Sequence, residues 1–211
     1  MKRAVFHDDA LLTCDFVCIG VPASEIFKSY IESKLHKDEY LTDLDFRPKG
    51  CGGSKENIKL TTSERTIITP YCSDVFYRGA VTAKAFLRRS CYACQYRDKH
   101  CSDITIADFA RYRKIDNKLD YEKGLSLIIA NTEMGRKAAE SLSNFELHEI
   151  DNKYSDYAFA PKDYSKYYSL RNKFYEIYKE YGLKAAASKT YMKRYNIQLM
   201  KYKIKKLFCK A

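Results

Sequence analysis

Cys91 and Cys94 stand three residues apart and Cys101 follows, a C-x2-C-x6-C run in a chain with eight cysteines. A C-x2-C loop curls so that both sulfurs can face one metal, and Cys101 is close enough in sequence to return to the same centre. A fourth sulfur must come from elsewhere. Cys18, at the end of the first apolar run, is the first choice, and Cys14 on the same strand is the reserve. Thiolates bind iron–sulfur clusters and zinc alike, so the ligand type does not decide the metal. Arg88, Arg89 and Arg97 nearby suit an anionic cluster. The bland alternative is a loop of unligated cysteines. Cys51 and Cys72 are isolated, Cys209 near the chain end is expected to be inert, and His100 beside Cys101 is the one histidine worth testing as a ligand. No serine or cysteine stands with a histidine in a nucleophile spacing, and no Walker-type phosphate loop is present.

These residues need elements to hold them. Leu11 to Ile19 reads as a buried strand, broken by Gly20-Val21-Pro22. Ser24 then caps a helix whose Ile26, Phe27, Tyr30, Ile31 and Leu35 share one face. Leu41 to Arg47 and Asn57 to Thr62 read as strands around the glycine-rich loop 49–54, and a third runs from Thr66 to Thr69. Asp74 to Leu87 has helical spacing, Asp103 to Phe109 is strand-like, and Leu125 to Ala130 is apolar but for Ser126, as in a strand covered on both faces. Glu133 to Leu142 reads as the helix packed on it. The expected fold is α/β: a mixed sheet with flanking helices over residues 1–150, followed by a basic, helical extension over 151–211.

Charge supports that division. Of the net charge of +11, a surplus of ten lies after residue 150, fifteen Lys and Arg against five Asp and Glu. Three helices are expected there, Asp163 to Tyr181, Leu183 to Tyr195 and Ile197 to Phe208, with Gly182 between the first two as a C-cap. Tyrosine and lysine together invite a nucleic-acid reading. The tyrosines recur at helical spacing, however, and an amphipathic, solvated extension is the favoured expectation, with nucleic acid unlikely as a partner. No apolar run approaches the ~20 residues of a membrane span, and no h-region marks a signal peptide. A cytoplasmic protein is expected, where clustered cysteines are metal ligands rather than disulfides.

Three stretches together resemble a known family. Cys14-Asp15-Phe16-Val17-Cys18-Ile19-Gly20-Val21-Pro22-Ala23 is similar to the first. Leu87-Arg88-Arg89-Ser90-Cys91-Tyr92-Ala93-Cys94, continued by Ser102 to Phe109, resembles the second and most specific. Lys123-Gly124-Leu125-Ser126-Leu127, continued by Asn131 to Gly135, resembles the third. Occurring in family order, they are similar to the coenzyme F-420 hydrogenase/dehydrogenase beta-subunit family, C-terminal domain. The resemblance implies a 4Fe–4S cluster, a flavin (FAD) and electron transfer in a redox reaction, with Cys91, Cys94 and Cys18 as ligands and Cys101 placed by spacing. Many bacterial relatives sit in polysaccharide-synthesis clusters, and this sequence looks closest to those.

The resemblance is to a shortened member. The family's N-terminal ferredoxin-like segment has no counterpart here, and Ala110 stands where the family has Trp. A redox partner protein or a missing N-terminal half is therefore expected. Asp103 and Asp108, at the two ends of one strand, are candidates to bond amides beside the cluster or a flavin hydroxyl, or else act as cap and turn residues. Asn131 and Thr132 either meet a ligand at the sheet's carboxyl edge, or Thr132 caps the next helix. Arg47, Arg78, Arg88 and Arg89 are candidates for a cofactor phosphate. The competing class is a zinc-stabilised module binding nucleic acid or an acidic partner through its basic helices.

Overall fold

The computed structural model describes residues 11–46, 48, 57–96, 101–109, 125–151 and 164–192. In chain order the elements are β1 (Cys14–Phe16), α1 (Ser24–Glu32), β2 (Leu41–Asp45), β3 (Asn57–Thr62), β4 (Thr66–Pro70) and a single turn α2 (Val75–Tyr77). After the cysteine pair follow β5 (Ile104–Asp108), β6 (Ser126–Ala130), α3 (Glu133–Glu140) and α4 (Ser165–Lys189). Contacts divide the chain into two compact units, Met1–Ile19 with Cys94–Lys162 and Gly20–Ala93 with Asp163–Ala211. Each unit is therefore assembled from two separate stretches of chain. The fold is α/β, with flanking helices.

In the first unit a three-stranded sheet has the order β1-β5-β6. β1 runs parallel to β5, with Cys14 opposite Ile104 and Phe16 opposite Ile106, while β6 returns antiparallel, with Ile128 opposite Ile106. The expected mixed sheet is present. β6 differs from expectation in one respect: Leu127 is buried but Ser126 and Ala130 are exposed. It is an edge strand in an antiparallel pair, so alternate side chains face opposite ways and only one set is covered. Leu127 and Phe109 form the small core there, with Ala107, Leu125, Ile129 and Ile150 around them.

The second unit holds the larger core. β2, β3 and β4 form an antiparallel sheet, and in β3 Ile58, Leu60 and Thr62 are buried while Asn57, Lys59 and Thr61 are only partly so, the period of two that a half-covered strand requires. Leu60 shares one buried core with Ile26 and Tyr30 from α1, Phe76, Phe86, and Phe174 and Ala186 from α4. Phe174 is fully buried, and burying a phenyl ring contributes roughly 1.5–3 kcal/mol. The described part of the residues after 150 is thus a wall of this core rather than a solvated extension. The Tyr and Lys pattern misled because α4 buries a narrow stripe and leaves its lysines outside. Gly182 (φ 76°) breaks α4 into two helical stretches as its position suggested. The third expected helix lies outside the described residues.

Two local expectations are corrected. Ser24 is the first helical residue of α1 and Ala23 is the cap, with no side-chain bond. The expected helix from Asp74 to Leu87 runs one turn, widens into a π turn over Arg78–Thr82, with Ala83 N–H donating to Arg78 O (2.8 Å), and stops at Lys84 (φ 51°). The widening follows from packing: a Cβ on Gly79 would lie 2.1 Å from the Phe86 ring, so the backbone there yields to a side chain folded back on it. Asp74 caps α2, accepting from Tyr77 N–H (2.8 Å) and from the Tyr30 hydroxyl (2.7 Å). Burial, then the adjacent carboxylate, pushes the Tyr30 phenol far above its ordinary value.

Candidate functional site

Cys91 lies in a 3-10 turn, Arg89–Ala93, after a short ladder. The ladder pairs the Gly20-Val21-Pro22-Ala23 turn with Phe86 to Arg88: Ala23 N–H donates to Phe86 O (2.9 Å) and Arg88 N–H to Val21 O (2.7 Å). Pro22 has no N–H, so the bridge between them at Pro22 and Leu87 asks for no donor there. Gly20 has φ +110°, and a Cβ on it would strike Leu87 at 2.5 Å. Glycine is required on both counts. The result is a Val21 N–H that donates to Cys91 Sγ at 3.3 Å. The first two motifs, seventy residues apart, meet at this thiol.

Tyr92 anchors the same turn. Its hydroxyl donates to Lys84 O and accepts from Leu87 N–H (3.2 Å), so it ties the left-handed residue to the ladder. Burial pushes its phenol up to about 12. α4 supplies the far wall: Tyr168 meets the Tyr92 ring edge-on (5.6 Å), Arg171 lies 5.8 Å from that ring, and Arg171 Nε–H donates to Leu87 O (3.4 Å). Cys91, like Tyr167 and Tyr168, packs against the buried group of Leu87, Tyr92 and Tyr164.

In the first unit Asp103 is the organising side chain, only 4% exposed. One carboxylate oxygen accepts from Thr13 N–H (2.9 Å) and from the Thr13 hydroxyl, and the other accepts from the Thr132 hydroxyl (2.7 Å). Thr132 in turn caps α3, accepting from Gly135 N–H (3.1 Å). Asn131 donates its side-chain amide to Thr105 Oγ1 (2.8 Å). Three of the four residues expected to meet a cofactor are thus brought together, with their side chains bonded inside the protein. Asp108, at the other end of β5, is exposed. Thr13 was missed in the sequence because a lone threonine inside an apolar run carries no spacing signal.

The cysteines Cys14, Cys18, Cys72 and Cys101 are exposed, and Cys91 and Cys94 are partly buried. Cys18, Cys94 and Cys101 belong to the first unit and Cys91 to the second. Solvent-reachable thiols are the donor chemistry that an iron–sulfur cluster needs. Arg88 and Arg89 are exposed. Cys51, Cys209, His100, Arg47 and Arg97 lie outside the described residues.

Among the described residues, His36, Glu39 and Glu64 bring ligand atoms within 4.8 Å of one another. Glu39 is ill suited to a cation. One of its oxygens accepts from Thr62 and Arg65 Nε–H (3.1 Å), the other from His36 N–H (2.7 Å) and Arg65 Nη2 (3.2 Å). These four donors fill the positions a carboxylate offers, and a guanidinium already supplies the charge. The Thr62 hydroxyl, then the His36 amide and Arg65, holds the Glu39 carboxyl below its ordinary range.

The family model for the C terminus of the coenzyme F-420 hydrogenase/dehydrogenase beta subunit matches residues 1–153. This chain belongs to that family. No curated protein and no solved structure matches it. The family is named for a subunit of hydrogenases and dehydrogenases, which supports an oxidoreductase-like role for the chain. No described helix is long and apolar enough to cross a membrane. α4, which walls the Cys91 turn, falls outside the matched stretch.

Proposed function

We propose that the chain is an electron-transfer subunit of an oxidoreductase, in which Cys91, Cys94, Cys18 and Cys101 hold a 4Fe–4S cluster. The observation that carries this reading is the Cys91 thiol: free, partly buried, met by a backbone N–H, and inside the segment that matches the family. A cluster supplies one-electron transfer, and a flavin, proposed on the family likeness alone, exchanges it with a two-electron substrate. The chain's own part is to present thiolates, to fix the Cys91 turn through Tyr92 and the Gly20 ladder, and to wall it with α4. Its partner is proposed to be a redox protein or the N-terminal half that longer family members carry, and its compartment the cytoplasm. A role in polysaccharide synthesis belongs to the same proposal.

The test is anaerobic purification followed by iron, sulfide, zinc and flavin assays. About four iron and four sulfide per chain, the content of one such cluster, and their loss in Cys91→Ala and Cys94→Ala support the reading. Zinc without iron overturns it in favour of a structural metal module. Bound FAD extends it to a flavoprotein.

A further inference from the structure

We infer that the Gly20–Val21 peptide is a positioning group for the cluster, holding an N–H against the Cys91 sulfur so that the reduced state is favoured. The inference rests on the proposed cluster and goes beyond it by naming a backbone donor that no residue type could have announced. Val21 N lies 3.3 Å from Cys91 Sγ, and Val21 O lies 3.9 Å from the same sulfur. In the free thiol both contacts are usable, since S–H can donate to the carbonyl. Once the proton is displaced by a metal, the carbonyl repels the thiolate and only the N–H attracts it.

The turn is already arranged for that second condition. Arg88 N–H donates to Val21 O at 2.7 Å, which commits the carbonyl to the ladder. Among the described residues the N–H has no ladder partner, because its neighbour in the bridge is Pro22 and the next ladder donor is Ala23. Gly20, at φ +110° and pressed on Leu87, fixes the plane of the peptide that carries the N–H. Tyr92 fixes the other side by tying Leu87 and Lys84 together. Hydrogen bonds to cluster sulfurs are among the main controls of reduction potential. The positive end of the N–H dipole stabilises the added electron, so the potential is raised.

The experiment labels the protein with 15N-valine, reduces it anaerobically with dithionite, and records the nitrogen couplings to the cluster spin by pulsed EPR. The expected result is a weak 15N coupling in the wild type that is lost in Val21→Ile made with the same label. That variant keeps the N–H but carries no label at residue 21, while the other labelled valines, Val17 among them, stay in both proteins and cancel. A cluster signal with identical 15N spectra in the two proteins overturns the inference and leaves the cluster reading intact. Absence of iron and sulfide overturns both. A second measurement uses Gly20→Ala, which re-aims the peptide: retained cluster content with a more negative midpoint is expected, and an unchanged midpoint counts against the tuning. If Gly20→Ala does not fold, the isotope comparison decides alone.

Discussion

Gly135 sits so close to Asp103 that a Cβ on the glycine would lie 2.0 Å from the Asp103 carbonyl oxygen. That oxygen accepts from Asn131 N–H (2.9 Å), so it cannot swing away without cost. Alanine in a helix ordinarily stabilises by up to about 1 kcal/mol over glycine. Here overpacking, about 1–3 kcal/mol, outweighs that gain, and Gly135→Ala should lower the urea midpoint. A midpoint at or above wild type would show that α3 does not approach β5 this closely.

The Asp103 carboxylate joins Thr13 on one side and Thr132 on the other. Thr132→Ala should cost about 0.5–2 kcal/mol as a lost helix cap. Asp103→Ala should cost more, because it strands two partly buried donors at Thr13 as well as the Thr132 hydroxyl. The two changes share a bond, so a double-mutant cycle should show coupling of about 0.5–3 kcal/mol. Independent effects measured by chemical denaturation of the cofactor-free protein would argue that these side chains serve a ligand instead.

Tyr92→Phe keeps the ring and removes the hydroxyl that serves Lys84 and Leu87. Leaving a buried donor unpaired costs about 1–3 kcal/mol. The phenol is held at about 12 in the fold, against 10.0 in the unfolded chain. Its contribution is therefore complete below pH 10 and fades as pH rises toward 12. Thermal melts across that window should fall for the wild type and fall less for Tyr92→Phe. Parallel slopes in the two proteins would show that the hydroxyl is not held this way.

Glu39 gives the opposite pH signature. Its folded carboxyl titrates below the unfolded value of 4.5, so the unfolded state binds the proton first as pH falls. The stability it contributes is present above pH 4.5 and is lost as acid protonates the folded carboxylate. Glu39→Gln should melt lower at neutral pH and show a flatter decline below pH 4.5. Arg65→Met should reproduce part of the effect, since Thr62 and His36 still donate to the carboxylate. Equal acid sensitivity in wild type and Glu39→Gln is the result that would refute the assignment.

Much of this was legible in the residues. β3 was read to the residue, because strict alternation from Ile58 to Thr62 has one periodic interpretation. The break at Gly182 was legible because a glycine between two helical patterns marks a left-handed turn. The cysteine pair and the Gly-Val-Pro turn were found as separate motifs, but their meeting was not, since it depends on a ladder made by main-chain groups. The failed helix at Arg78 shows the same limit. Helical spacing persists through Phe86 and Leu87, yet tertiary contact between Gly79 and Phe86 overrides it. α4 was recognised as helix and misplaced in role, since composition reports the lysines and tyrosines on its surface and a single line of Phe174, Leu183 and Ala186 is enough to join a core.

The interleaving of the two units has a consequence for biosynthesis. Residues 20–93 leave the ribosome long before residues 164–187, which complete their core with Phe174, Leu183 and Ala186. With residues 94–162 of the other unit translated in between, the early half must wait with an apolar face uncovered. Chain arrest after residue 153, where the family likeness ends, would strand that half unfinished and expose it to chaperones and proteases. α4 is thus the late-made element that covers the core begun by residues 20–93.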